Sequence, residues 1–417
     1  MKHLLAALFL VLVSCAMYGQ PVNYDESKVP EYSLPDVMKC KDGSYVTTVK
    51  QWEKHRRPEV LDMLSSEEYG YTPQDKVRTT YELVAEDTQA FGGSATMQQV
   101  LITFSGQGKS VKALLLALIP NHRKGKVPVF IGYNFKGNHS ICDNQGILYS
   151  PYFKKINDLS SLELQRNTQP GRWPLSMIIE RGYAVVTMCY HDIFPDNPNG
   201  HQESVTTLFP QKPSTEETQW QAIGAWAWGN SRMADWVARQ SWANRHQLIV
   251  IGHSRQGKAA LWAGAQDKRF SVVISNDSGC GGAALSCRQF GERVENITKS
   301  FPHWFCPAFS RYAGKEQQLP FDQHELLALI APRHLYVASA QDDLWADPRG
   351  EYLSAYHASP VYQLYGLQGL TSPETPQVNH PVMNHIGYHI RSGQHDVTDY
   401  DWTAYMDFCD KAFSRSK

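Results

Sequence analysis

The stretch 248-LIVIGHSRQGKAAL-261 is an apolar run that reaches a glycine, then a serine, then small residues able to open a helix. A serine held on a tight strand-to-helix turn is usually written G-x-S-x-G, because its crowded backbone tolerates only small flanking residues. Here the second glycine comes one residue late and a cation follows the serine: Gly252-His253-Ser254-Arg255-Gln256-Gly257. The start of a helix would bring backbone N–H groups and a positive dipole end to Ser254. The same residues also suit a serine that merely caps a helix behind a buried strand.

The surroundings favour the first reading. From about residue 126 the runs VPVFIGYNF, YAVVTMCY, QLIVIG, FSVVISND and RHLYVASA are short, apolar and rich in β-branched or aromatic residues, as strands buried on both faces should be. Helical candidates, ETQWQAIGAWAWGNSRMADWVARQ and GKAALWAGAQ, lie between them. Alternating strands and helices predict an α/β protein, a mostly parallel central sheet sandwiched between helices. TTYELVA, MQQVLITFS and VKALLLALIP precede it with the alternation of antiparallel hairpins. Antiparallel strands running into a parallel sheet match the α/β-hydrolase order. One catalytic domain is expected over 76–417, with residues 20–75, which contain one helix, as a flank packed against it.

That order requires an acid and then a histidine downstream of the serine. The run LYVASAQDDLWADP ends a strand with Asp342, Asp343 and Asp347, and HIGYHIRSGQHDVTDYDW offers His385, His389 and His395. His395 follows a glycine-containing turn and precedes the last helix, the position expected of a general base, whereas His389 sits in an alternating stretch and should face a neighbouring strand. A serine hydroxyl needs a base to take its proton, an imidazole needs a carboxylate to fix its tautomer, and the tetrahedral intermediate needs preorganised donors. Arg255 offers a backbone N–H for that oxyanion; its guanidinium could join it, clamp a carboxylate, or sit in an ion pair at the helix start.

The chain as a whole sets the frame. It has 417 residues, 42% hydrophobic and 19% charged, with a formal net charge of −1, so no strong field recruits nucleic acid or an anionic membrane. The opening MKHLLAALFLVLVSCAMYGQ carries Lys2 and an apolar run too short to span a bilayer, and residues 1–19 are expected to be a cleaved signal peptide. Leu12-Val13-Ser14-Cys15 also resembles a lipobox that would leave Cys15 acylated. Cys40, Cys142, Cys189, Cys280, Cys287, Cys306 and Cys409 remain, an odd number, so at least one stays free or pairs outside the chain. No C-x-x-C pair suggests a zinc site.

The motifs GHSRQGKAALWAGAQDKRF, SNDSGCGGAAL, SFPHWFC, LPFDQHELLALIAPR, ASAQDDLWADPRGE and GYHIRSGQHDVTDYDW together resemble the glucuronoyl esterases of carbohydrate esterase family 15, in its bacterial branch. The resemblance covers roughly residues 100–415. It implies Ser254 as nucleophile, His395 as base, Arg255 in the oxyanion hole, and Lys258, Glu292 and Trp345 around the sugar. The family places its acid in one of two loops, matched here by Asp343 and Asp277; the shorter side chain at 277, where members carry Glu, favours Asp343. His253 stands where fungal members hold a disulfide cysteine. The implied substrate is an ester between (4-O-methyl-)glucuronic acid on xylan and a lignin alcohol, cleaved without metal or organic cofactor. The implied protein is an exported bacterial monomer (periplasmic, secreted or lipid-anchored) with no obligate protein partner. Two other readings stay open from the residues alone: an acetyl xylan or other carbohydrate esterase on this fold, and a non-catalytic polysaccharide-binding protein.

Overall fold

A computed structural model of the chain describes residues 22–210 and 216–414. The expected signal segment and Cys15 lie outside the described residues. Ten strands form one sheet: β1 (Arg78–Ala90), β2 (Ala95–Gly106), β3 (Lys109–Pro120), β4 (Val127–Asn134), β5 (Ala184–Cys189), β6 (Ala243–His253), β7 (Phe270–Asn276), β8 (His334–Ala340), β9 (Val382–Met383) and β10 (Ile386–Arg391). Their spatial order is β1-β2-β3-β5-β4-β6-β7-β8-β10-β9. β1 to β3 are antiparallel and β3 joins β5 antiparallel. From β5 to β10 every pairing is parallel, and the two-residue β9 closes the edge antiparallel. The β2–β3 hairpin turns on Gln107 and Gly108, both at positive φ (50° and 72°), which lets a two-residue loop follow the twist of its strands.

The apolar runs are continuous because each strand fills two cores. Val129, Ile131, Val186, Val250, Val273 and Val337 face one core, which includes the helix Ala222–Val237. Phe130, Val185, Ile249, Ile251, Val272 and Ile274 face the other, which includes Trp402, Tyr405 and Phe408 of the helix Asp399–Ser414. Neighbours in sequence point to opposite faces of a strand, so a run buried on both must be apolar at every position.

The helix foreseen from residue 217 begins at Ala222. No side chain caps it; its first N–H groups instead donate to carbonyls of another loop, Ala222 to His303 and Ile223 to Trp304, each at 3.0 Å. An unsatisfied helix end therefore ties down a loop that borders the site.

Residues from Val37 to Tyr69 share the first core, through Trp52, Val60, Leu64 and Tyr69. Tyr69 stacks on Trp262 at 4.5 Å, and Arg57 Nη2 donates to the Ala265 carbonyl at 2.7 Å, so this segment covers the far end of the helix Arg255–Gln266. All seven cysteines in the described residues are buried and free. No helix among those residues is long and apolar enough to cross a membrane.

Candidate active site

β6 ends at His253, and the helix Arg255–Gln266 begins two residues later. Between them Ser254 adopts φ +58°, ψ −127°, a region that side-chain-bearing residues rarely enter. The turn is held from both sides: Ser254 N donates to Asn276 O on β7, and Gly257 N donates to Ser254 O, each at 2.9 Å. Ser254 Oγ caps no N–H of the helix, so the capping role open in the sequence is not the one it plays. The late second glycine has a packing reason. A Cβ on Gly252 would lie 1.9 Å from Gln256 O, inside the helix's first turn. A Cβ on Gly257 would lie 2.9 Å from Ser278 Cβ and 3.1 Å from Ser275 Oγ, against β7 and the loop after it. Gly252 thus makes room for the turn, and Gly257 for the neighbouring strand.

His395 lies above the turn. Its Nδ1 is 2.6 Å from Asp343 Oδ2, and its ring centroid is 4.4 Å from that of His253, the residue before Ser254. Asp343 is buried just beyond β8. Its neighbours in the same run do other work. Asp342 is exposed, and Asp347 pairs with Arg288 at 2.9 Å while capping the helix Pro348–His357 through Gly350 N. His389 is fully buried on β10, between Tyr336 OH on β8 and Asp401, each at 2.9 Å, so it does face its strand neighbour. His385, before β10, stacks on His334 at 4.7 Å.

Asp277 is the second carboxylate beside His395: one ligand-type atom from each of Asp277, Asp343 and His395 falls within 4.8 Å of the others. Such a cluster suits a cation as well as a proton relay, but Nδ1 must carry its proton to donate to Asp343 and then has no lone pair for a metal. The two acids differ in environment. Neither oxygen of Asp277 has a hydrogen bond, and its nearest cation is Arg391 Nη2 at 3.7 Å. Burial, reinforced by the charges of Glu351 and Asp343, raises its carboxyl well above the usual range. Asp343 is the one bonded to the imidazole.

Three groups that sequence reasoning missed hold this arrangement. Arg391, at the end of β10, donates from Nε to Asp401 at 2.8 Å and from its Nη atoms to the carbonyls of Ser392, Gln394 and Asp396 at 3.1, 2.9 and 2.6 Å. It therefore wraps the turn that carries His395. Glu351 accepts Ser278 N and Gly279 N at 2.8 and 3.0 Å and Ser339 Oγ at 2.6 Å, fixing the loop after Asp277; burial pushes its carboxyl up to about 7. Asp196 receives Arg255 Nη1, His303 Nε2, Trp304 Nε1 and Tyr190 OH, the last three at 2.7, 2.7 and 3.0 Å. No shared local pattern announces these residues, since their partners lie anywhere from 1 to more than 100 positions away.

The guanidinium of Arg255 is thus in an ion pair, one of the arrangements open from the sequence, and it also lies over Trp304 at 4.7 Å and Phe301 at 5.6 Å. Lys258 is buried on the same helix, donating to the carbonyls of Ser278 and of Cys280, the latter at 2.6 Å. Glu292 is partly buried, and its N–H donates to Trp345 O at 2.8 Å. Burial raises its carboxyl, while Lys258 and a hydrogen bond from the Trp345 side chain oppose that rise. Trp345 follows Asp343 by two residues and leaves 42% of its surface exposed. His253, where a cysteine was expected in relatives, bonds Asn276 Oδ1 through Nδ1 at 2.6 Å; burial and the neighbouring His395 hold its imidazole well below the usual histidine range.

Comparison with known proteins fits this geometry. Residues 170–366 match the family model described as glucuronyl esterase, fungi. A carbohydrate esterase of an unknown prokaryotic organism is 42% identical over 404 residues, covering 94% of this chain and 93% of its own. The solved structure of a glucuronoyl esterase from Solibacter usitatus is 41% identical with a TM-score of 0.88, covering 93% of this chain and all of that one. A promiscuous CE15 esterase from a marine bacterial metagenome is 40% identical with a TM-score of 0.83, over 93% of this chain and 99% of that one. With a serine on a strained elbow, a histidine–carboxylate pair above it and full-length relatives at this identity, the chain belongs to the CE15 family of carbohydrate esterases.

Proposed function

We propose that this protein is a serine-type esterase that cleaves the ester between (4-O-methyl-)glucuronic acid on xylan and a lignin alcohol. The observation that carries the reading is the His395–Asp343 hydrogen bond above the strained Ser254 turn. Ser254 attacks the ester carbonyl while His395 takes its proton, and Asp343 holds the tautomer and steadies the imidazolium. The Arg255 backbone N–H and guanidinium receive the developing oxyanion. His395 then protonates the leaving alcohol, and water, activated by the same imidazole, releases the uronic acid. Lys258, Glu292 and Trp345 bind the sugar, and Asp277 stands beside the relay. No step calls on a metal or organic cofactor. Export through residues 1–19 and action as a monomer belong to the same proposal, because a cell-wall polymer is met outside the cell.

The test is hydrolysis of benzyl glucuronate beside benzyl galacturonate and acetylated xylose, with Ser254→Ala as control. Efficient glucuronate cleavage, lost by several orders of magnitude in a folded Ser254→Ala protein, is expected. Fast acetyl release with negligible glucuronate cleavage would overturn the substrate assignment.

A further inference from the structure

Hydrolysis creates a problem that the ester does not pose. The substrate's acyl group is neutral at the reacting carbon, but the product carries a carboxylate in the same place. An arginine presenting two parallel N–H groups is a strong bidentate carboxylate ligand. An unmodified guanidinium at the oxyanion position would hold the product and slow release.

Arg255 is not presented in that form. Asp196 occupies its Nη1 end, and Nε is buried without a hydrogen-bond partner, which leaves Nη2 for the cleft. Its plane rests on Trp304, and Trp304 Nε1 bonds the same Asp196. Asp196 is itself fixed by four donors, from Tyr190, the helix residue Arg255 and the neighbouring His303 and Trp304, and its side chain is only 4% exposed. Although burial alone would raise its carboxyl, the hydrogen bond from His303 and the charge of Arg255 hold it well below the usual range, so the compensating charge persists at any working pH.

We propose that Asp196 is a positioning residue that makes Arg255 a single, charge-compensated donor, so that the site stabilises the oxyanion yet releases the uronate carboxylate. The inference rests on the function proposed above, in which Arg255 faces the reacting carbonyl and the product is a uronate. Asp196 has no part in proton transfer; it acts through Arg255.

The experiment is calorimetric binding of free glucuronate and of methyl glucuronate to the inactive Ser254→Ala protein, with and without Asp196→Asn. Removing the charge at constant shape is expected to tighten free glucuronate about tenfold and to leave the uncharged ester within about twofold, the scale of one charge at an effective dielectric near 20. An unchanged free-acid affinity, or an equal change for acid and ester, would overturn the proposal. Should Asp196→Asn not fold, Arg255→Gln serves: the uncompensated Asp196 should weaken the free acid more than the ester, and equal weakening refutes the inference. If the Ser254→Ala protein binds neither ligand, the substrate reading fails and takes this inference with it. Binding of both without dependence on Asp196 refutes the inference alone.

Discussion

Replacing Asp343 by Asn asks which of two neighbouring acids serves His395. The Nδ1···Oδ2 distance of 2.6 Å puts the carboxylate in direct contact with the imidazolium that forms on proton transfer. With charge centres about 4 Å apart and an effective dielectric near 20, that contact contributes about 4 kcal/mol. His395 is 42% exposed on its side chain, so solvent screening reduces this to about 2–3 kcal/mol before substrate covers the ring. The amide also favours the wrong tautomer, which in serine triads brings the loss toward about 10⁴ in kcat. A fall of about 10² to 10⁴ in kcat is therefore expected, with KM little changed. Asp277→Asn should cost far less, because neither Asp277 oxygen has a hydrogen bond while Asp343 bonds the imidazole directly. The assay is kcat on benzyl glucuronate from pH 5 to 9, with circular dichroism to confirm folding. Greater damage from Asp277→Asn than from Asp343→Asn would refute the assignment.

Two further outcomes follow from the packing. Gly252→Ala places a methyl group 1.9 Å from the Gln256 carbonyl, a backbone atom that cannot rotate away, so it should lower the melting temperature by more than 5 °C and reduce activity at least about tenfold. Differential scanning calorimetry checks this, and wild-type stability would show that the elbow is looser than described. Glu351 has its folded pKa raised to about 7, above its unfolded value of about 4.5. The native state therefore binds the extra proton between those values, and this group's contribution to stability is complete below the lower value and lost as pH rises through about 7. Glu351→Gln, which still accepts the two loop N–H groups, should flatten the fall in melting temperature between pH 5 and 8; an unchanged slope would exclude Glu351 as its source.

The sheet was legible because strands buried on both faces have no choice of composition: VPVFIGYNF and YAVVTMCY are β4 and β5 almost residue for residue. The elbow was legible for the same local reason, two glycines forced by contacts within a few residues of Ser254 and with the next strand. His395 and Asp343 could be picked out by chain order, because loops after parallel strands all open on the same edge. Asp196, Glu351 and Arg391 could not. Each is an ordinary charged residue whose partners come from loops with no fixed spacing, such as Asp196 with Arg255 and His303. The start of the helix at Ala222 was missed on similar grounds, since it is set by carbonyls eighty residues away rather than by a capping side chain.

The first described residues touch the loop that carries Glu292, one of the residues proposed to bind the sugar. Asn23 O accepts Gly291 N at 2.8 Å, Tyr24 packs edge-on against Phe290 at 6.3 Å, and Glu26 bonds Arg288 at 2.7 Å, all within four residues of Glu292. These first residues act as a clasp on a loop that is synthesised more than 260 residues later. A protease that removes the chain up to Val29 would spare the sheet, the elbow and the His395–Asp343 pair, yet free the loop that carries Glu292. If Glu292 binds the uronate as proposed, such a nicked enzyme would still react with a small activated ester while losing its grip on the sugar. The intactness of the N-terminus is therefore a variable to control whenever preparations are compared for sugar selectivity.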